Sequence, residues 1–171
     1  MFKNIILIGF MGVGKTSVGT QLAIDIGYTF VDTDVLIEAD QHITINEIFE
    51  QYGEPYFRRV EATIIQQVIK SERQVVSTGG GAVIRDENRA AFKKAGLVVC
   101  LTARPEVVFE RIKYDMHRPL LRAPDPMARI KELLGSRAQF YKQADLVIDT
   151  SEKSVDDAVN EIKERVRYAC C

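Results

Sequence analysis

Residues 9–16 read GFMGVGKT, an unbroken G-x-x-x-x-G-K-[ST] pattern set directly after the apolar run Ile5-Ile6-Leu7-Ile8. The run predicts a buried strand. Beyond the loop, Val18, Leu22, Ala23 and Ile26 recur at helical spacing, with Gly27 placed to cap that helix. Strand, glycine loop and helix in this order make a phosphate cradle. Glycines at 9, 12 and 14 let the chain turn tightly, so that successive amide N–H groups converge on an anion, and the helix N-terminus adds its dipole. Lys15 is then placed to reach the β- and γ-phosphates as a point charge, and the Thr16 hydroxyl to offer an oxygen to Mg²⁺.

Outward from the loop, strand candidates at 4–9, 29–33, 74–78, 97–102 and 145–149 alternate with helical patterns. That alternation predicts an α/β fold, a parallel sheet with helices on both faces. Thr44 and Glu47 form a capping box ahead of Ile45, Ile48 and Phe49. Phe57, Val60, Ile64 and Val68 mark a longer helix after Gly53, and Val155, Val159, Ile162 and Val166 stripe a last helix that Ser154 is placed to cap. Between Tyr114 and Pro126 periodicity lapses in YDMHRPLLRAPDP, which holds three of the five prolines. A loop of that length inside a compact domain covers a site more often than not, so 112–126 is read as a lid.

The 171 residues suit one domain, 1–171, with 46% hydrophobic and 27% charged residues. A net charge of −1 without basic runs gives no electrostatic footprint for nucleic acid. Apolar stretches are strand-sized, and no signal-peptide layout opens the chain, so a cytoplasmic, membrane-free monomer acting on small molecules is expected. Cys100 sits in an apolar run and Cys170-Cys171 at the end, which makes neither a disulfide framework nor a zinc spacing. A guanine-nucleotide switch would need N-K-x-D and D-x-x-G patterns, and the sequence has neither.

The acceptor is argued from other residues. Asp32 and Asp34 end the second strand candidate, where a parallel sheet opens onto its ligand crevice, and strand geometry would send both side chains the same way. One could hold Mg²⁺ through water while the other orients an attacking hydroxyl; the other reading is a solvated strand end with Asp34 as helix N-cap. In Phe57-Arg58-Arg59-Val60-Glu61, Arg58 is either a rim charge or a fork for a carboxylate, held by Glu61 three residues on. Gly79-Gly80-Gly81 follow a strand and let backbone amides approach a ligand closely, with Ser77 and Thr78 adding hydroxyls near the metal. Arg118 in the lid and Arg137 beyond it suggest a site that receives an anion.

GFMGVGKT, the DTD at 32–34, FRRVE at 57–61, TGGGAV at 78–83, HRPLL at 117–121 and SRAQFY at 136–141 together resemble the shikimate kinases, in order and spacing, from Ile5 to about Thr150. The resemblance implies a three-layer P-loop kinase fold like that of nucleoside monophosphate kinases, its five-stranded parallel sheet ordered 2-3-1-4-5. It also implies transfer of the γ-phosphate of ATP to the 3-hydroxyl of shikimate, with Mg²⁺ held by Thr16, and Asp32 and Ser77 helping through water. Nucleotide contacts are implied for Gly12, Val13, Gly14, Lys15, Thr16, Ser17, Arg111, Arg118 and Lys153, the last standing where related chains often place arginine. Residues 33–61 become the substrate-binding region. Asp34, Arg58, Gly79, Gly80, Gly81 and Arg137 would hold shikimate, Phe49 and Phe57 line its pocket, and Lys15, Asp34 as base and the lid Arg118 act in catalysis. Asp149, which ends the run Leu146-Val147-Ile148 like a magnesium aspartate, is read as structural.

Overall fold

The computed structural model describes residues 2–114 and 124–168. Among them, β1 (Asn4–Ile8), β2 (Thr29–Asp32), β3 (Gln74–Ser77), β4 (Leu97–Thr102) and β5 (Leu146–Asp149) form one parallel sheet in the order β2-β3-β1-β4-β5. Helices α1 (Lys15–Ile26), α2 (Thr33–Gln41), α3 (Ile45–Val68), α4 (Asp86–Ala95), α5 (Pro105–Ile112), α6 (Pro126–Tyr141) and α7 (Val155–Tyr168) connect and cover it. The expected α/β architecture and strand order are both found.

The period of two along a strand explains the two-sided core. Ile5 and Leu7 of β1 join Val75, Val99 and Leu101 on one face, packed against Val18 and Leu22 of α1 and Ile162 of α7. Ile6 and Ile8 point the other way, with Val76 and Val98, onto Ile64 and Ile65 of α3 and Phe92 of α4. Buried on both faces, β1 has no room for a polar side chain beyond Asn4, whose amide ties Ser71 and Gln74 at its start. A truncation such as Leu22→Ala would cost about 2–5 kcal/mol by cavity formation.

Register sets the site's floor. Asp32 lies opposite Ser77, and Ser77 opposite Leu7, so the carboxyl ends of β2, β3 and β1 stand side by side. The helix termini follow local chemistry. Gly27 ends α1 at φ 68°, Thr44 and Glu47 cap α3 reciprocally, and the Ser154 hydroxyl accepts from Asp157 N–H at 3.1 Å ahead of α7. Gly53, at φ 76°, breaks α3 into two helical pieces, and the longer one starts where the sequence places it.

Several boundaries differ from expectation, β1 and β3 each ending one residue early at Ile8 and Ser77. Strand β2 stops at Asp32, which is itself the N-cap of α2, so Asp34 belongs to a helical first turn and not to a strand end. The cap is thus Asp32 and not Asp34; the Asp32 carboxylate accepts the Asp34 N–H at 3.0 Å. Asp145 precedes β5, its carboxylate accepting Val98 N–H at 2.8 Å. Of the lid expected over 112–126, Ile112 ends α5 and Pro126 opens α6, while 115–123, including Arg118, lie outside the described residues. Among those described, no helix is long and apolar enough to cross a membrane.

Candidate active site

One cleft of about 1710 Å³ runs along the carboxyl ends of the strands. It exceeds the ~300–1,000 Å³ usual for one small ligand, so two substrates fit side by side. Of the expected site residues, Gly12, Val13, Gly14, Lys15, Thr16, Ser17, Asp32, Asp34, Phe49, Phe57, Arg58, Gly79, Gly80, Gly81, Arg111, Arg137 and Lys153 all line it. Arg118 alone is outside the described residues.

At the centre, β1 feeds the loop 9–14 into α1. Gly14, the N-cap, adopts φ 96°, a left-handed conformation that a side chain would strain. The Lys15 ammonium folds over the loop, donating to the carbonyls of Gly9 and Phe10 at 2.8 Å each. Thr16 Oγ1 donates to Asp32 Oδ2 at 3.2 Å, which joins the first turn of α1 to the tip of β2. With Ser77 opposite Asp32, these oxygens make a hard-donor corner beside the loop.

One side of the cleft is built after β4 and β5. Arg111 donates to the Thr150 carbonyl at 2.7 Å, to its hydroxyl at 3.1 Å and to Gly12 O at 3.3 Å. The buried Thr150 hydroxyl bonds Val13 O at 2.9 Å and Thr102 O at 3.0 Å. Lys153 reaches back to Asp149 O at 3.0 Å and pairs with Glu161 at 2.8 Å. The Asp149 carboxylate accepts from Ser151 N–H at 2.8 Å, and hydrogen bonding from the Ser151 side chain first, then from its backbone, lowers its pKa. Asp149 therefore closes a turn, as its structural reading expects.

The other side is built after β2 and β3 and from α3 and α6. Arg58 donates to Glu61 at 2.8 Å and to Glu54 at 3.0 Å. Glu61 is fully buried, and burial pushes its carboxyl above the usual carboxylate range against the pull of the Arg58 charge. Burial also works against the Arg58 charge, but Glu61 and Glu54 outweigh it and hold the guanidinium's pKa up. Among the described residues, Glu61 Oε1 and Arg137 Nε have no hydrogen-bond partner. A buried acceptor and a buried donor left open beside one cleft call for a ligand carrying both hydroxyl and anionic groups.

Two of the three successive glycines have a steric cause, Gly79 and Gly81, while Gly80 has room for ordinary contacts. A Cβ on Gly79 would lie 2.8 Å from Glu61 Oε1 and 3.0 Å from Asp34 Oδ1, and one on Gly81 would fall inside the Arg58 guanidinium. One on Gly80 would stand 3.4 Å from Gly9 O and 3.6 Å from Arg137 Nη1. The loop thus touches the phosphate cradle, the Asp34–Glu61 carboxylates and both arginines at once. Phe49 and Phe57 stack at 4.8 Å beside it, and the Arg58 guanidinium sits 5.1 Å over the Phe57 ring.

Sequence reasoning did not single out Thr150 or Tyr141. The Tyr141 hydroxyl donates to Gly80 O at 2.7 Å, and burial pushes the phenol up to about 12, with Arg137 pulling the other way. Its only signal was membership of SRAQFY, and the contacts of Thr150 reach partners up to 137 residues away. Cys100 is buried behind the site and raised to about 12 by burial, so it stays an inert thiol.

Comparison with known proteins agrees with this geometry. The family model described as shikimate kinase matches residues 11–167. A shikimate kinase of Thermodesulfovibrio yellowstonii is 47% identical over 160 residues, covering 94% of this chain and 92% of its own. One of Geobacter metallireducens is 49% identical over 160 residues, covering 94% and 89%. The structure of Acinetobacter baumannii shikimate kinase in complex with shikimate superposes with a TM-score of 0.95 at 35% identity, covering 99% of this chain and 95% of that one. With its phosphate loop, acidic strand tip and glycine triplet in one cleft, this chain belongs to the shikimate kinase family.

Proposed function

We propose that the cleft transfers the γ-phosphoryl group of ATP to the 3-hydroxyl of shikimate, giving shikimate 3-phosphate and ADP. The observation that carries the acceptor half is the meeting of Arg58, Arg137, Asp34 and Gly79–Gly81 in the space next to the phosphate loop. Two guanidinium forks match a carboxylate with two-point geometry, which a hydroxylated ring acid supplies. The open Arg137 Nε–H and Glu61 Oε1 suit the same ligand.

Within this reading the amides of the loop 12–17 and the Lys15 ammonium bind and orient the phosphates. Arg111, Thr150 and Lys153 form the wall for the base. Asp34 accepts a hydrogen bond from the attacking hydroxyl and takes its proton as the new bond forms. Arg118 would neutralise charge on the transferring group. Thr16 and Asp32, with Ser77 through water, fit Mg²⁺, because that ion takes one or two protein oxygens and completes its shell with phosphate and water. Bound there, it would screen the phosphate charges.

The test is ADP release by the purified protein with MgATP and a panel of acceptors. Shikimate alone should support turnover; activity with gluconate or AMP and none with shikimate overturns the substrate.

A further inference from the structure

The geometry points to Tyr141 as a positioning residue that fixes the direction of the Gly80–Gly81 peptide and holds it in register with Arg137. This rests on the reading that the glycine amides meet the acceptor.

The carbonyls of the loop are held from two directions. Gly79 O accepts from Ala82 N–H at 3.0 Å and Gly81 O from Ile84 N–H at 3.0 Å, within the loop's own turn. Ala82 O accepts from Asn88 at 2.9 Å and Val83 O from Arg89 at 2.7 Å, tying the turn to α4. Gly80 O is the exception: its donor is the Tyr141 hydroxyl, 61 residues on, at 2.7 Å.

That exception matters because of peptide planarity. The C=O of Gly80 and the N–H of Gly81 belong to one rigid unit, so pinning the oxygen sets where the Gly81 N–H points. Between two residues without Cβ, that unit rotates with little steric resistance and needs an outside restraint. Tyr141 supplies it from the last residue of α6, one turn beyond Arg137, whose Nη1 would be 3.6 Å from a Cβ on Gly80. One helix thereby carries both a guanidinium for the acceptor and the clamp on the neighbouring amide. The ring is buried, so Tyr141→Phe leaves the packing and removes the clamp together with the Arg137 interaction at the hydroxyl, which makes the glycine amides the direct readout of the clamp.

Tyr141→Phe should raise the shikimate KM by about three- to tenfold, the range one hydrogen bond spans, with the ATP KM and melting temperature near those of the parent. In glycine-labelled protein without ligands, the Gly80 and Gly81 amide resonances should move while those of Gly12 and Gly14 stay. An unchanged shikimate KM in an active enzyme, an equal rise for ATP, or unmoved Gly80 and Gly81 resonances overturns the assignment. If the parent protein fails to phosphorylate shikimate, the functional reading falls by itself, and the resonances alone decide the Tyr141–Gly80 tie.

Discussion

The Arg58 guanidinium donates to a fully buried Glu61 carboxylate at 2.8 Å while Glu54 holds its other edge at 3.0 Å. The fork is thus fixed from behind, with its planar face over Phe57. Arg58→Lys keeps the charge and loses the two-point geometry, so the shikimate KM should rise about tenfold or more, with the ATP KM unchanged. An effect confined to ATP in steady-state kinetics would put Arg58 elsewhere in the reaction.

Glu61 makes a pH prediction. Burial raises its folded-state pKa, so in the interval just above the ordinary carboxylate range the folded protein binds a proton that the unfolded chain has released. Stability contributed at this position therefore falls as pH rises through that interval. Urea midpoints measured across it should fall with pH more steeply for the parent than for Glu61→Gln, which has no proton to lose. Parallel curves would mean that Glu61 titrates normally.

Asp34→Asn retains size and hydrogen bonding but cannot take a proton. Turnover should fall by about 10²–10⁴-fold at saturating substrates, with nucleotide affinity by calorimetry unchanged. Undiminished turnover would remove Asp34 from the proton step.

Gly81→Ala introduces a methyl group where the Arg58 guanidinium stands. The variant should lose about 1–3 kcal/mol of stability by urea denaturation and raise the shikimate KM, since Arg58 must leave its place. Gly135, where a methyl group would have open space for 4 Å, is the control: its alanine variant should keep both values or gain slightly in stability.

How much of this was legible follows from the range of the interactions involved. Strands β1, β3 and β4 could be read because parallel strands buried on both faces are near-continuous apolar runs, the partly exposed edge strands β2 and β5 from their alternation with helical patterns, and the capping boxes at Thr44 and Ser154 because their partners lie three residues away. The phosphate loop carries its own geometry in its glycines. Asp34 was misplaced onto a strand end because nothing in FVDTD says which aspartate caps the next helix; that is settled by Asp32 bonding both Thr16 and Asp34 N–H. Thr150 and Tyr141 act across 39–137 residues, distances at which spacing carries no signal.

The central position of β1 divides the protein's capacity for change. Asp34 and Gly79–Gly81 follow the strands on one flank, β2 and β3, while Arg111, Thr150 and Lys153 follow those on the other, β4 and β5. An engineer seeking a different alcohol can redraw the first flank together with Arg137 and Tyr141 of α6, keeping Asp32 and Ser77 for the metal, and leave the wall of Arg111, Thr150 and Lys153 untouched. Directed evolution for new acceptors should accordingly concentrate its fruitful substitutions on half the sheet.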